Sequence, residues 1–185
     1  MAIKPLRKRY FLHLKGPTNI AAIMGDLNAL EPNISQVITN SILLDNSMGK
    51  IICLFFAQHL DDTYTTLNEL IVSANFFGFE NKRAVLDALL RRNNLRTNEE
   101  IDNFSKNIRQ IGATRNAFAH GTVKFQSSEP YLEYFKGEIK RQPLTHEYWQ
   151  SLDEKYESVF SFLESVQADI LAATSAFSSA AIKED

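Results

Sequence analysis

The chain has one cysteine, five prolines and seven glycines in 185 residues, and its net charge is only −2. A single cysteine excludes an internal disulfide. Cys53 sits in the apolar run Ile51-Ile52-Cys53-Leu54-Phe55-Phe56-Ala57, where a buried structural thiol is the expected role, and the lack of a disulfide framework fits a reducing compartment. That run is the longest uninterrupted apolar stretch and falls far short of the roughly 20 residues a membrane-spanning helix needs. Near the amino terminus, Lys4, Arg7, Lys8 and Arg9 precede Tyr10-Phe11-Leu12, but His13 and Lys15 follow at once, so there is no apolar core of a signal peptide. The expected location is the cytoplasm, with no membrane partner. Few glycines and prolines leave no low-complexity linker, and no repeat of solenoid period is present. The near-balanced charge argues against coating nucleic acid through bulk electrostatics, which draws on clustered Lys and Arg. Local patches remain, at the amino terminus and at Lys82, Arg83, Arg91, Arg92 and Arg96, and each alone reads equally well as a solvated helix face.

With 44% hydrophobic and 23% charged residues the chain can bury one substantial core, which points to a single domain over 1–185. Its clearest signals are helical. After Ser47, a suitable N-cap, the residues Leu60, Tyr64, Leu67, Ile71 and Ala74 recur on one face and predict a helix from about Met48 to Asn75. Phe76-Phe77-Gly78-Phe79 ends it, and Val85, Leu86, Leu89 and Leu90 line a shorter helix over Lys82–Asn93. Thr97-Asn98-Glu99-Glu100 is a capping box. The helix it starts carries Ile101, Phe104, Ile108, Ile111 and Phe118, with Gly121 placed to stop it after His120. From Thr122 to Leu144 the helical period vanishes, and Thr122–Phe125 and Tyr131–Phe135 read as two short strands. The last helix opens at Thr145 with Trp149, Leu152, Tyr156, Val159, Leu163, Val166, Ile170 and Ala173 at alternating steps of three and four. Between Thr18 and Leu44, Pro17, Gly25 and Pro32 predict one or two short helices. The expected fold is all-α, an antiparallel up-and-down helical bundle with a small extended or β-hairpin insertion before the last long helix.

Chemistry-bearing residues gather in Ile108-Arg109-Gln110-Ile111-Gly112-Ala113-Thr114-Arg115-Asn116-Ala117-Phe118-Ala119-His120-Gly121. Asn116 and His120 are four apart and share a helix face, whereas Arg115 and His120 diverge by roughly 140°. An imidazole moves protons near neutrality, and at a helix carboxyl end it suits a proton donor or phosphate ligand better than a base. A guanidinium donates two parallel bonds to phosphate oxygens and stabilises developing negative charge, and Asn116 would orient one of the two groups. The structural alternative starts from the spacing of Arg115, which continues the Ile101/Phe104/Ile108/Ile111 stripe. In that case Arg115 is buried against Asp61 or Asp62, Asn116 bonds backbone and His120 caps the helix. His13, His59 and His146 lack metal-site spacing, and no metal or cofactor is expected.

An Arg, a polar Asn, three further residues and a His at the end of a helix in a helical chain resembles the HEPN family. The run Phe76-Phe77-Gly78-Phe79-Glu80-Asn81-Lys82 ahead of an apolar helix is a second, weaker likeness, and the resemblance covers about residues 47–175. What it implies is metal-independent endoribonuclease activity, in which the ribose 2′-hydroxyl attacks the neighbouring phosphate and leaves a cyclic phosphate and a 5′-hydroxyl. Arg115, Asn116 and His120 would be catalytic, and Lys82, Arg83, Arg109 and Lys124 are candidate RNA contacts. The family also implies a two-fold homodimer in which paired motif helices complete the site, and a toxin or defence role with an antitoxin or other regulatory protein as partner. In the branch whose antitoxin is a nucleotidyltransferase a Tyr stands two residues after the His. Here that position is Thr122, which puts that mode of regulation in doubt. Two other readings stay open: a non-catalytic HEPN-like module that binds RNA, a nucleotide or a protein, and a structural helical dimer without chemistry.

Overall fold

The structure, a computed structural model, describes residues 20–57, 61–126 and 129–181, and side chains over 30–57, 62–126 and 129–173. The amino-terminal basic cluster, His13, His59, Leu60 and the side chain of Asp61 lie outside these. The described chain is mostly helical, with a small antiparallel sheet before its last helix. In order it runs α1 (Ile20–Ala57), α2 (Asp61–Leu67), a π-helical turn (Asn68–Val72), α3 (Phe79–Arg92), α4 (Asn98–His120), β1 (Thr122–Gln126), β2 (Glu129–Phe135), β3 (Ile139–Pro143) and α5 (His146–Ala181). None of these helices is long and apolar enough to cross a membrane, among the described residues.

Helix α1 overturns two boundaries expected from the sequence. It runs unbroken through Gly25, Pro32 and Ser47, so Ser47 is interior and residues 20–44 belong to one long helix. Proline inside a helix removes one backbone bond and costs about 3 kcal/mol. Here Pro32 is exposed, so the carbonyl four residues earlier can be met by water. What carries the helix through is a stripe that the breakers masked: Ile34, Val37, Ser41, Leu44, Met48 and Ile51 alternate at three and four, and all are buried. Of the expected helix over Met48–Asn75, residues 48–57 and Asp61–Leu67 are α-helical, residues 58–60 lie outside the described residues, and Asn68–Val72 is a π-helical turn. A π turn adds one residue to the helical period, which moves the inward face on by one position. Accordingly Val72 is 3% exposed while Ile71, which the spacing placed inside, is 43% exposed.

Local signals at α4 and α5 hold. Glu100 Oε2 accepts from the Thr97 amide at 2.8 Å and Thr97 Oγ1 accepts from the Glu100 amide at 3.3 Å, a reciprocal capping box. Thr145 Oγ1 caps α5 by accepting from the Tyr148 amide at 3.2 Å. The sheet has order β1-β2-β3, with Val123 opposite Leu132 and Phe135 opposite Ile139. Its third strand, Ile-Lys-Arg-Gln-Pro, has no apolar alternation to betray it in the sequence. It is an edge strand, and β2 supplies its hydrogen bonds.

The chain divides into two compact units. The first draws on Met1–Ile38 and Thr114–Ser151. In it Phe118, at the end of α4, stacks on Trp149 with ring centroids 5.6 Å apart and meets Tyr148 at 6.5 Å, while Val123, Leu132 and Leu144 are buried under the sheet. The second draws on Thr39–Ala113 and Leu152–Asp185. There α1 meets α5 where Ser41 Oγ and the Tyr156 hydroxyl bond at 2.8 Å, and α4 meets α5 where Phe104 and Phe162 stack at 4.5 Å. Phe79 of α3 lies under Gly112 of α4, where an added methyl would come within 3.1 Å of the ring. Leu44, Met48, Ile51, Leu86, Leu90, Ile101, Ile108, Ile111, Leu163 and Val166 form the fully buried interior of this unit. Cys53 is buried there too, as the sequence led us to expect, and burial pushes its thiol above the ordinary value.

Candidate functional site

The motif residues belong to the first unit, at the last turns of α4. Phe118 and Ala117 turn inward, which carries Asn116 and His120 to the opposite side of the helix, and both are exposed. Arg115 is exposed as well, so the core-side origin suggested by the stripe is not realised. Its Nη1 donates to Asn116 Oδ1 at 3.1 Å. Among the described residues no carboxylate pairs with it, Asp62 included. The long side chain thus bends toward the face that Asn116 shares with His120, and narrows the angle separating Arg115 from His120 along the helix. One donor is engaged by Asn116 and four remain for an oxyanion.

Gly121 closes the helix in a way the sequence did not foretell. Its φ is not in the left-handed region, which among the described glycines only Gly137 occupies, at 75°. Gly121 is required by close approach: a Cβ there would lie 2.4 Å from the Ala117 carbonyl oxygen, 2.9 Å from that of Glu133 and 2.9 Å from Leu132 Cδ1. The Gly121 amide donates to the Ala117 carbonyl at 2.7 Å, and strand β1 starts at the next residue. The missing side chain lets β2 reach the helix end beside His120.

Of the four candidate RNA contacts, Lys124 and Lys82 are already paired. Lys124 donates to Glu133, which also accepts from Arg141 Nε at 3.1 Å, and these bonds hold the Glu133 carboxyl below the ordinary glutamate range. Lys82, in the second unit, is not the surface cation expected from the sequence. It is 5% exposed and its ammonium donates to Asp45 Oδ2 at 2.6 Å, so it ties α3 to α1 and is not presented to a polymer. Gly49 makes the space, because its Cα faces Val72 and the end of Lys82. Lys82→Met should lower stability by about 2 kcal/mol, less than for a fully buried pair because Asp45 keeps 30% of its side chain in water. Combining it with Asp45→Asn should recover most of the loss, as read from chemical denaturation. Equal losses in the single and double variants would show that the pair is not what holds the two helices.

Arg83 and Arg109 come together in the second unit, where α3 and α4 enclose a cleft of about 400 Å³. The chain set this up at helical spacing: Arg83, Asp87 and Arg91 lie along α3, and Asp102, Ser105 and Arg109 along α4. Arg91 is held at one end by Asp87 Oδ2 at 2.8 Å, Asp102 Oδ1 at 2.5 Å and Asn98 Oδ1 at 2.8 Å, and Ser105 donates to Asp87 Oδ1 at 2.7 Å. Burial alone would raise the Asp87 carboxyl, but the bonds from Arg91 and Ser105 outweigh it and keep it below the usual 3.8. A depressed carboxyl adds stability that is complete above its unfolded value and lost as pH falls through the folded value. The difference in denaturant midpoint between wild type and Asp87→Asn should therefore hold constant at neutral pH and shrink below about pH 4. A difference unchanged down to pH 2 would show that ionisation of Asp87 contributes nothing. The sequence did not single out Asp45, Asp87 or Ser105; of the three only Asp87 carried a signal, its i, i+4 spacing from Arg83 and Arg91 on α3. Comparison of the chain with known protein families, with curated proteins and with solved structures finds no match.

Proposed function

We propose that this chain is a metal-independent endoribonuclease of the HEPN type, a single HEPN-like domain with its helices in up-and-down order, working in the cytoplasm as a two-fold homodimer in a toxin or defence role. The observation that carries the reading is the exposed trio at the end of α4, in which Arg115 is bonded to Asn116 and to no carboxylate among the described residues. Arg91 and Arg96 are each engaged by a carboxylate, whereas the guanidinium of Arg115 keeps donors available to a ligand.

In the reaction the 2′-oxygen of the ribose bonds to phosphorus and the bond from phosphorus to the 5′-oxygen breaks. His120 gives its proton to the departing 5′-oxygen, and the 2′-hydroxyl proton passes to water. Arg115 donates to the non-bridging oxygens as their charge grows, while Asn116 keeps the guanidinium in place. Single-stranded or looped RNA is the substrate class, because its sugar can turn the 2′-hydroxyl in line with the leaving oxygen.

The test is incubation of mixed single-stranded RNA with purified protein in EDTA, beside Arg115→Ala and His120→Ala. Cleavage by wild type alone, leaving 2′,3′-cyclic phosphate ends, is the expected result. Wild type as inert as both variants on every RNA would overturn the proposal and move the non-catalytic binding module ahead of it.

A further inference from the structure

A second feature of the molecule has the makings of a ligand site, and it does not depend on the reading of Arg115, Asn116 and His120. The cleft between α3 and α4 has a volume of about 400 Å³, within the range of roughly 300–1,000 Å³ that small-molecule sites occupy. Its two ends differ in hydrogen bonding. At one end Arg91 satisfies Asp87 and Asp102, so their charges are compensated. Toward the other end stand Arg83 and Arg109, one on each helix. Arg83 uses Nε on Glu80 at 2.9 Å, and its side chain is only 14% exposed, which fixes the guanidinium while leaving Nη1 and Nη2 with no acceptor among the described residues. Arg109 is exposed and makes neither an ion pair nor a side-chain hydrogen bond among them.

This is not a bulk positive patch, since Glu80, Asp87 and Asp102 match the three arginines in number. It offers direction instead: two guanidinium forks in one recess, one already held and the other free to close. Parallel N–H pairs of this kind fit tetrahedral oxyanions, and a lysine presents only a point charge. Glu80 does not obstruct such a ligand, because it engages only Nε and leaves the Nη1 and Nη2 edge of Arg83 open.

We infer that the α3/α4 cleft binds the phosphate group of a nucleotide, clamped between Arg83 and Arg109. The phosphate is supplied either by a free mononucleotide or by an RNA chain, and the chemistry of recognition is the same for both. Titration at low salt with adenosine 5′-monophosphate and with pyrophosphate, by calorimetry, and with a short fluorescent single-stranded RNA, by anisotropy, tests it. Arg109→Ala is expected to weaken binding about 10-fold, the factor that corresponds to loss of one charge-assisted contact. Arg83→Lys, which keeps the charge and removes the fork, should weaken it as well. Lys106→Ala, on the same helix but outside the cleft, should bind as wild type does. Adenosine monophosphate that binds and competes with RNA identifies a mononucleotide site, and RNA that binds alone identifies the polymer backbone as the source. The inference is overturned if no probe binds the wild type, or if Arg109→Ala and Arg83→Lys both bind as tightly as it does.

Discussion

RNA cleavage is expected to fall by about 10²–10⁴-fold in His120→Ala and by about 10²–10³-fold in Arg115→Ala, with the folded state intact in both. The sizes follow from the roles assigned. Loss of a positioned proton donor leaves the 5′-oxygen to depart as an alkoxide, and loss of the guanidinium leaves the phosphorane charge to water. Both side chains are exposed, and neither takes part in an ion pair among the described residues, so stability should move by no more than about 0.5 kcal/mol. Arg115→Lys adds a sharper discrimination. A lysine keeps the charge but cannot present two parallel donors, nor bond Asn116 and phosphate in one plane, so its kcat should stay close to that of the alanine variant. Restoration of wild-type kcat by lysine would mean that Arg115 supplies charge alone, and that its bond to Asn116 is incidental.

Gly121→Ala is expected to cost about 3 kcal/mol and to lower the thermal midpoint by roughly 6–12 °C. One methyl is a small change, and where there is space and an ordinary φ it is close to neutral. At Gly121 two of the three nearest atoms are backbone oxygens, of Ala117 and Glu133, and backbone cannot rotate aside as a side chain can. Either the last turn of α4 or strand β2 must move. Since His120 precedes this position and Glu133 is the acceptor for Lys124 and Arg141, the sheet face should lose order with the helix end. By contrast Gly78 has nothing within 4 Å of its added Cβ, so Gly78→Ala serves as the control and should melt like the wild type. Identical melting of Gly121→Ala and Gly78→Ala would show that the junction yields without cost.

Legibility in the sequence tracked how local each cause is. The capping box at Thr97, the cap at Thr145 and the buried stripes of α4 and α5 all emerged where the pattern placed them, because capping and helical periodicity involve residues three or four apart. Two residues at the edges of the α5 stripe depart from it, Trp149 being half-buried and Ala173 exposed. Proline and glycine misled in α1, where a long apolar face outweighs their local penalty. The strand β3 was invisible because its stability comes from pairing with β2 and not from its own residues. At the candidate site, Arg115, Asn116 and His120 were singled out by the resemblance of their pattern to a family motif, but the exposure of Arg115 and its bond to Asn116 were not legible.

Cap positions, the periodic faces of α4 and α5 and the grouping of Arg115, Asn116 and His120 are therefore properties of local pattern in this chain. Which cations are available to a ligand is settled only when distant segments meet. Lys82 and Arg83 are adjacent in sequence, yet Lys82 is consumed by Asp45, 37 residues away, while Arg83 opens into a cleft completed by Arg109 of another helix. The reason is physical: a charge is free or neutralised according to the groups within a few ångströms of it and the water it keeps, and both are set by packing between elements far apart along the chain.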